Sequence, residues 1–441
     1  MTPHILLVNP WIHDFAAYDV WAKPYGLLSL AAILRSHGFD VSYMDCLDRF
    51  HPMAEPASPA ARNGRGPYLK ERIPRPAGLP DVPRNYSRYG IRPAWLRQDL
   101  SKISKPDLIL VTSLMTYWYP GVVETIDQLR LMFPDVAIVL GGIYATLCPG
   151  HAESVTGANA VITGDASGRI LSVVEAITGV GRQPQFDPGD LDTYPWPAFD
   201  LQQKISYVPL LTALGCPYSC DYCASRRLQP KRLRRSPENV ISEIRHWHKV
   251  YGVKDFVFYD DALLVDSASH AIPLFEQIVQ TQMAIRFHTP NAVHIREITR
   301  KTADLMARAG FATLRLGLET LDFSHRAMDH KVQREEFFQA AAFLREAGFD
   351  SRRVGAYLLV GLPGQEAAVV EDAIRMVKQT GIQPILAYYS PIPHTAMWPE
   401  ALRASRYDLA SDPIYTNNAI FPCQSAFDWK TLSRLKQLAS G

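Results

Sequence analysis

Gly215-Cys-Pro-Tyr-Ser-Cys-Asp-Tyr-Cys223 is the stretch on which the reading of this chain turns. It sets Cys216, Cys220 and Cys223 in a C-x-x-x-C-x-x-C spacing, where the apolar strand Val208–Leu214 gives way to a loop. Soft thiolates packed this closely suit an iron–sulfur cluster. Three ligands leave one iron of a four-iron cluster without a protein thiolate, and an open position on a metal is where a substrate or cofactor binds. A zinc site is the competing reading. Such a site usually pairs two C-x-x-C or Cys/His halves, and no second half follows here. His246 and His248 fall on different sides of a predicted helix.

Composition sets the frame around that loop. The chain has 441 residues, enough for two or three domains. Hydrophobic residues make up 47% and charged residues 20%, an ordinary globular balance. The net charge of +2 gives no case for a nucleic-acid partner. No apolar run reaches membrane-spanning length, and the start, Met1-Thr-Pro-His-Ile-Leu-Leu-Val8, enters a strand directly, so no signal peptide is expected. Six cysteines, three of them clustered, do not make a disulfide framework. A reducing cytoplasm is the expected location.

Strands and helices alternate along most of the chain. In the first part, strands are expected at Ile5–Val8, Val41–Met44, Leu108–Thr112, Val136–Leu140 and Ala160–Thr163, with helices at Gly26–Gly38, from about Gly121 to Met132, and from about Ser167. This alternation implies a doubly wound parallel sheet, and ligands bind such sheets at the carboxyl ends of the strands. Residues 47–104 interrupt the pattern with nine prolines and read as an extended insertion rather than helix or strand. Residues 182–206 read as a proline-bearing linker. A second series follows, with strands at Val208–Leu214, Phe256–Tyr259, Ile285–His288, Thr313–Leu318, Val354–Val360 and Ile385–Tyr389, and five helices between them. The expected division is 1–181, linker 182–206, barrel 207–394 and C-terminal extension 395–441.

The cysteine spacing, with the aromatic Tyr222 before its third member, resembles the radical S-adenosylmethionine (SAM) superfamily. Six alternating strands match that family's partial (β/α)6 barrel, with the cysteine loop after its first strand. The resemblance implies a [4Fe–4S] cluster on Cys216, Cys220 and Cys223 whose open iron is chelated by SAM. It implies further cofactor contacts at the strand ends. Asp260 and Asp261 follow the second strand, where a carboxylate can accept hydrogen bonds from an ammonium, with a solvated turn or helix cap as the lesser reading. Asn291 follows the third and also suits an ordinary turn. Glu319 ends the fourth, where an acid among apolar residues is costly unless partnered. Gly361 and Gly364 follow the fifth and permit close backbone approach to a ligand. His394 follows the last strand as a candidate proton-transfer group. Cys423, in the C-terminal extension, is a candidate hydrogen-atom or proton donor.

The first sheet resembles the cobalamin-binding domain of cobalamin-dependent radical SAM enzymes. The pieces are Leu6-Leu-Val-Asn-Pro10, the helix opening Gly26-Leu-Leu, and Leu140-Gly-Gly-Ile-Tyr-Ala-Thr146. Tyr117, Trp118, Gly141 and Gly142 are then the expected corrin contacts. The D-x-H-x-x-G motif that supplies a histidine to cobalt is missing, and a Rossmann-like domain that binds no corrin is the competing reading. The implied function is reductive cleavage of SAM to a 5′-deoxyadenosyl radical, with cobalamin for methyl transfer to an unreactive carbon. The alternative is a cobalamin-independent radical SAM cyclisation, rearrangement or oxidation. An external electron donor such as flavodoxin or ferredoxin is implied as partner. The substrate, a small molecule or a peptide, is not legible in the sequence.

Overall fold

The computed structural model describes residues 2–321, 328–329, 331–424 and 429–440. The chain forms two compact units, Met1–Ser206 with Ser411–Ile420, and Tyr207–Ala410 with Phe421–Gly441.

The first unit is built on a five-stranded parallel sheet. Its strands are β1 (His4–Asn9), β2 (Asp40–Asp45), β3 (Leu108–Val111), β4 (Ala137–Leu140) and β5 (Ala160–Val161), in the order β2-β1-β3-β4-β5. β1 is buried at every position, as expected of a strand covered on both faces. One face packs on α1 (Tyr25–Ser36), which buries Leu27, Leu28, Ala31, Ala32 and Leu34. The other packs on α2 (Tyr119–Met132) through Val122, Ile126 and Leu129. Strand order reverses between β1 and β3, so their carboxyl ends flank the crevice where doubly wound sheets bind ligands.

Three segments depart from the sequence reading. The 47–104 insertion contains regular structure: Lys70–Arg72 and Ser87–Tyr89 form an antiparallel sheet with Ile12–Asp14, and Pro93–Leu100 is a helix. Proline density concealed both, because the strands are only three residues long and Pro93 occupies the first helical turn, where its missing N–H costs nothing. Residues 182–206 belong to the first unit rather than spanning between units. Phe199 is fully buried, Ala198 N–H donates to the Leu28 carbonyl, and Arg35 makes two hydrogen bonds to Asp200 at 2.6 and 3.0 Å. The C-terminal extension is divided, because Ser411–Ile420 returns to the first unit.

The second unit holds a six-stranded parallel sheet. Its strands are β6 (Val208–Leu210), β7 (Asp255–Phe258), β8 (Arg286–His288), β9 (Phe311–Glu319), β10 (Val354–Val360) and β11 (Gln383–Tyr388), paired in sequence order. The helices between them are α3 (Pro237–Tyr251), α4 (Ala271–Thr281), α5 (Arg300–Ala309), α6 (Arg334–Glu346) and α7 (Ala367–Gln379). Local chemistry fixes α3. Ser236 caps it by accepting from Asn239 N–H, Pro237 opens it, and Gly252 closes it in the left-handed region at φ 70°. Phe256, Phe258, Phe287 and Phe311 pack as one aromatic seam across three strands, and Phe275 of α4 meets Phe258 and Phe311 edge-on. With all six strands parallel, the loops that follow them gather at one edge.

Candidate active site

The cysteine loop has a closed neck. Ala213–Leu214 pairs antiparallel with Leu233–Arg234, so residues 215–232 leave and re-enter at one point. Gly215 turns the chain at φ 76°, and a Cβ there would stand 2.4 Å from the Lys231 carbonyl oxygen; only glycine fits that neck. Within the loop Cys220 is buried, Cys216 half-buried and Cys223 exposed, and all three are free thiols. Burial raises the Cys216 thiol pKa and pushes that of Cys220 up to about 11. A bound metal must therefore supply the charge that favours thiolate. Three free thiols on one clasped loop are the donor chemistry of an iron–sulfur cluster, although among the described residues they are not drawn together as a metal-binding group.

Asp260, one residue past Tyr259 at the end of β7, holds the base of this loop. Its Oδ1 accepts from Thr212 N–H at 3.1 Å, Thr212 Oγ1–H at 2.6 Å and Ala213 N–H at 2.6 Å. Oδ2 is enclosed and makes no hydrogen bond among the described residues. Burial outweighs the three bonds and moves the Asp260 pKa up to about 6. Beneath it, Arg235 and Glu243 form a buried ion pair at 2.6 Å, and Arg235 N–H donates to the Thr212 carbonyl. Asp261 is half-buried and faces Ser225 of the loop, with burial again raising its pKa. The two expected carboxylates thus divide: Asp260 braces the loop and Asp261 lies along it.

Glu319 ends β9 in the left-handed region at φ 64° and is 8% exposed. It pairs with Lys331 at 3.7 Å. The same ammonium donates to the Tyr222 hydroxyl at 2.9 Å and lies 5.3 Å from the centre of that ring. The Tyr222 hydroxyl donates in turn to Asp329 at 3.3 Å. Burial works against the lysine's charge, but Glu319, Cys220 and Asp329 hold its pKa above the usual lysine value. The aromatic of the cysteine motif is therefore tied to the loop after β9. Backbone bonds reinforce the tie, since Asp221 N–H donates to the Met328 carbonyl and its carbonyl accepts from Met397 N–H.

On the other flank, His294 is 5% exposed, with Nε2 3.6 Å from Cys216 Sγ and its ring edge-on to Tyr218 at 4.5 Å. Burial drives its pKa down to about 3, so the ring is neutral. Sequence reasoning missed both Lys331 and His294. The signal for Lys331 was present, because a buried strand-end glutamate needs a cation downstream. His294 carried none, being a single histidine six residues past a strand.

The remaining expected residues are more dispersed. Asn291 is exposed and donates to the Tyr259 carbonyl at 2.7 Å, linking the loops after β7 and β8. Gly361 and Gly364 both take positive φ, in a turn braced by Gln365, whose side chain accepts from Gly361 N–H at 2.8 Å and donates to the Leu359 carbonyl at 2.9 Å. His394 is exposed, at φ 69°. Cys423 is buried, donates to the Ala401 carbonyl at 3.7 Å, and is pushed up to about 12 by burial.

In the first unit, Gly141 leaves room at the end of β4, since the nearest atom to an added Cβ would be the Ile162 carbonyl oxygen at 3.8 Å. Gly142 does not, since its Cβ would stand 2.3 Å from the Ser113 carbonyl oxygen. That second glycine serves the approach of the β3 loop. Tyr117 is buried, and Trp118 donates through Nε1 to Asp14 at 2.6 Å. Ser411–Ile420 packs beside this aromatic turn: Thr416 meets Thr116 at 2.8 Å, Asn417 donates to Asp14 at 2.8 Å, and the Tyr119 hydroxyl donates to Asp412 at 3.0 Å.

Residues 210–377, from the first barrel strand through most of α7, match the family model described as the Radical SAM superfamily. Residues 210–377 form a radical SAM domain. The match to this radical SAM model contains all three cysteines, Asp260, His294, Glu319 and Lys331. Among curated proteins, the chain is 25% identical over 341 residues to an uncharacterised methyltransferase of Pyrococcus horikoshii, covering 69% of this chain and 72% of that one. It is 24% identical over 287 residues to the hopanoid C-2 methylase of Rhodopseudomonas palustris, covering 62% of this chain and 53%, about half, of the methylase. Among solved structures, it resembles the radical SAM methyltransferase TsrM of Kitasatospora setae with cobalamin and a [4Fe–4S] cluster bound. That likeness has a TM-score of 0.70 at 17% identity and covers 99% of this chain and 91% of TsrM. It extends the shared fold across both units. No helix among the described residues is long and apolar enough to cross a membrane.

Proposed function

We propose that this chain is a cobalamin-dependent radical SAM methyltransferase, working in the cytoplasm and fed by an external one-electron donor. The observation that carries the reading is one of order. A flavodoxin-type sheet with an open glycine at a strand end is followed by a barrel whose first loop carries three free thiols. Bound there, the cofactors supply one electron for cleavage of SAM's carbon–sulfur bond and, at cobalamin, a methyl group for transfer to carbon.

The chain's own residues bind and orient. Cys216, Cys220 and Cys223 hold the cluster. Lys331, Tyr222 and Asp329 fix the loop against β9, and His294 holds Cys216 on the opposite flank. Glu319, Asp260 and Asp261 supply carboxyl oxygens at the strand ends suited to SAM's ammonium, and the Gly361–Gly364 turn offers backbone groups to its adenine. In the first unit, Gly141 and the Tyr117–Trp118 turn flank the crevice assigned to the corrin. His13 does not serve cobalt, because its Nε2 is paired with Glu124 at 2.7 Å.

Anaerobic reconstitution tests the reading. The protein should bind about four irons, cleave SAM under reductant and, with hydroxocobalamin, retain a corrin spectrum that His13→Ala leaves unchanged. A product heavier by one methylene unit marks methyl transfer. SAM cleavage without corrin retention would refute the cobalamin assignment and leave cobalamin-free radical chemistry.

A further inference from the structure

The segment after the third cysteine, Cys223-Ala-Ser-Arg-Arg-Leu-Gln-Pro-Lys-Arg-Leu-Arg-Arg235, carries six cations and no acid. The whole chain has a net charge of only +2, so this is its strongest local bias. Arg235 is withdrawn into the core by Glu243. The other five remain at the loop. Arg232 and Arg234 share the single carboxylate of Asp266, at 3.2 and 2.8 Å, beside a cleft of about 360 Å³. Arg226, Arg227 and Lys231 are exposed and make no ion pair with any described residue. Among the described residues, the strip thus sets five cations against one ion-paired carboxylate, with Asp261 as the other acid along the loop. Like charges so close repel one another and weaken the fold. A solvated surface has no need of them in one place.

Their position gives the reason. Cys223 is the exposed thiol of the three, and Arg226 and Arg227 stand three and four residues beyond it. A cluster on this loop comes nearest to solvent at Cys223. Electron tunnelling falls steeply with distance, so a donor must dock where its redox centre reaches that edge.

Resting on the cluster assignment above, we infer that the Arg226–Arg234 strip is the docking surface for an acidic one-electron carrier protein. The carrier surrenders one electron and is oxidised by one unit; the cluster gains that electron, and no atom is transferred. Redox encounters of this kind use small, polar, salt-sensitive interfaces. Such a cationic strip steers an acidic partner over about a Debye length, roughly 8 Å at physiological ionic strength.

The test is stopped-flow reduction of the reconstituted full chain by photoreduced flavodoxin, compared with reduction by titanium(III) citrate. In the wild type, the flavodoxin rate constant should fall at least tenfold between about 20 and 500 mM salt, as the Debye length shrinks from roughly 20 to roughly 4 Å. Arg226→Glu/Arg227→Glu/Lys231→Glu should lower it at least tenfold at low salt and flatten the salt dependence, with iron content and the titanium rate unchanged. The milder Arg226→Gln/Arg227→Gln should fall between. Equal flavodoxin rates in wild type and variants would overturn the inference. So would salt-sensitive tRNA binding lost in the triple variant while carrier kinetics stay the same. Failure of titanium(III) to reduce even the wild type would instead indict the cluster assignment.

Discussion

Asp260 carries a charge that the fold holds at a cost, and its substitution by asparagine should stabilise the protein at neutral pH. The carboxylate is 3% exposed and accepts three hydrogen bonds, yet its pKa is up at about 6 against an ordinary 3.8. In the unfolded chain the group ionises near 3.8, so between those values the folded state binds the extra proton. Stability from this group is therefore fully present below about pH 3.8 and is lost as pH rises through 6. A shift of about two units corresponds to roughly 3 kcal/mol. Asp260→Asn keeps an oxygen for the three donors and removes the charge, but puts an amide N–H₂ where Oδ2 lacks a partner, returning about 1 kcal/mol. The net expectation is a gain of about 1–2 kcal/mol at pH 7.5 that shrinks toward zero near pH 4. Asp260→Ala is the contrast. It strands the N–H groups of Thr212 and Ala213, at about 1–3 kcal/mol each, while the Thr212 hydroxyl keeps His270 Nε2 at 2.8 Å. Urea unfolding of the apo-protein, followed by circular dichroism from pH 4 to 8, reads both. A pH-independent difference between Asp260→Asn and wild type would refute the burial argument. Equal stability of the Ala and Asn variants would refute the bracing role. If the charge serves SAM, Asp260→Asn should bind SAM more weakly despite folding better.

The other expectations are more compact. Gly142→Ala should cost about 1–3 kcal/mol, because its Cβ meets rigid Ser113 backbone at positive φ, whereas Gly141→Ala should be tolerated in a parallel thermal melt. Asn417→Ala removes a buried donor to Asp14 and should cost about 1–3 kcal/mol, with faster hydrogen exchange across 411–420 as the local readout. Lys331→Met leaves Glu319 buried without its cation and should cost about 3 kcal/mol and lower iron retention; adding Glu319→Gln should restore most of the stability.

The parts of this protein legible in its sequence are those set by neighbours a few residues away. β1, α1 and α3 announce themselves through apolar periodicity and caps within one segment, and the cysteine spacing lies within eight residues. The insertion was opaque for the opposite reason. Strands of three residues cannot display a period of two, and what pairs Ser87–Tyr89 with Ile12–Asp14 lies more than seventy residues away. The return of 411–420 was hidden likewise. Its contacts run through Asp412, Thr416 and Asn417, polar residues whose burial makes sense only once Tyr119, Thr116 and Asp14 are in place.

The same distinction runs through the active site. The thiols were legible because metal ligands must crowd one loop, but what positions them was not. Asp260 was singled out by its place at a strand end, and there it braces the chain leading to Cys216 through Thr212 and Ala213. Lys331 and His294 approach the loop from the connections after β9 and β8, more than seventy residues beyond the cysteines they address. A barrel makes this arrangement natural. Each parallel strand delivers its loop to the same edge, so a site assembles from one or two residues per loop with no local signature for any of them. Ligand chemistry can be read where it is dense in sequence; the groups that tune those ligands become visible only when the strands are laid side by side.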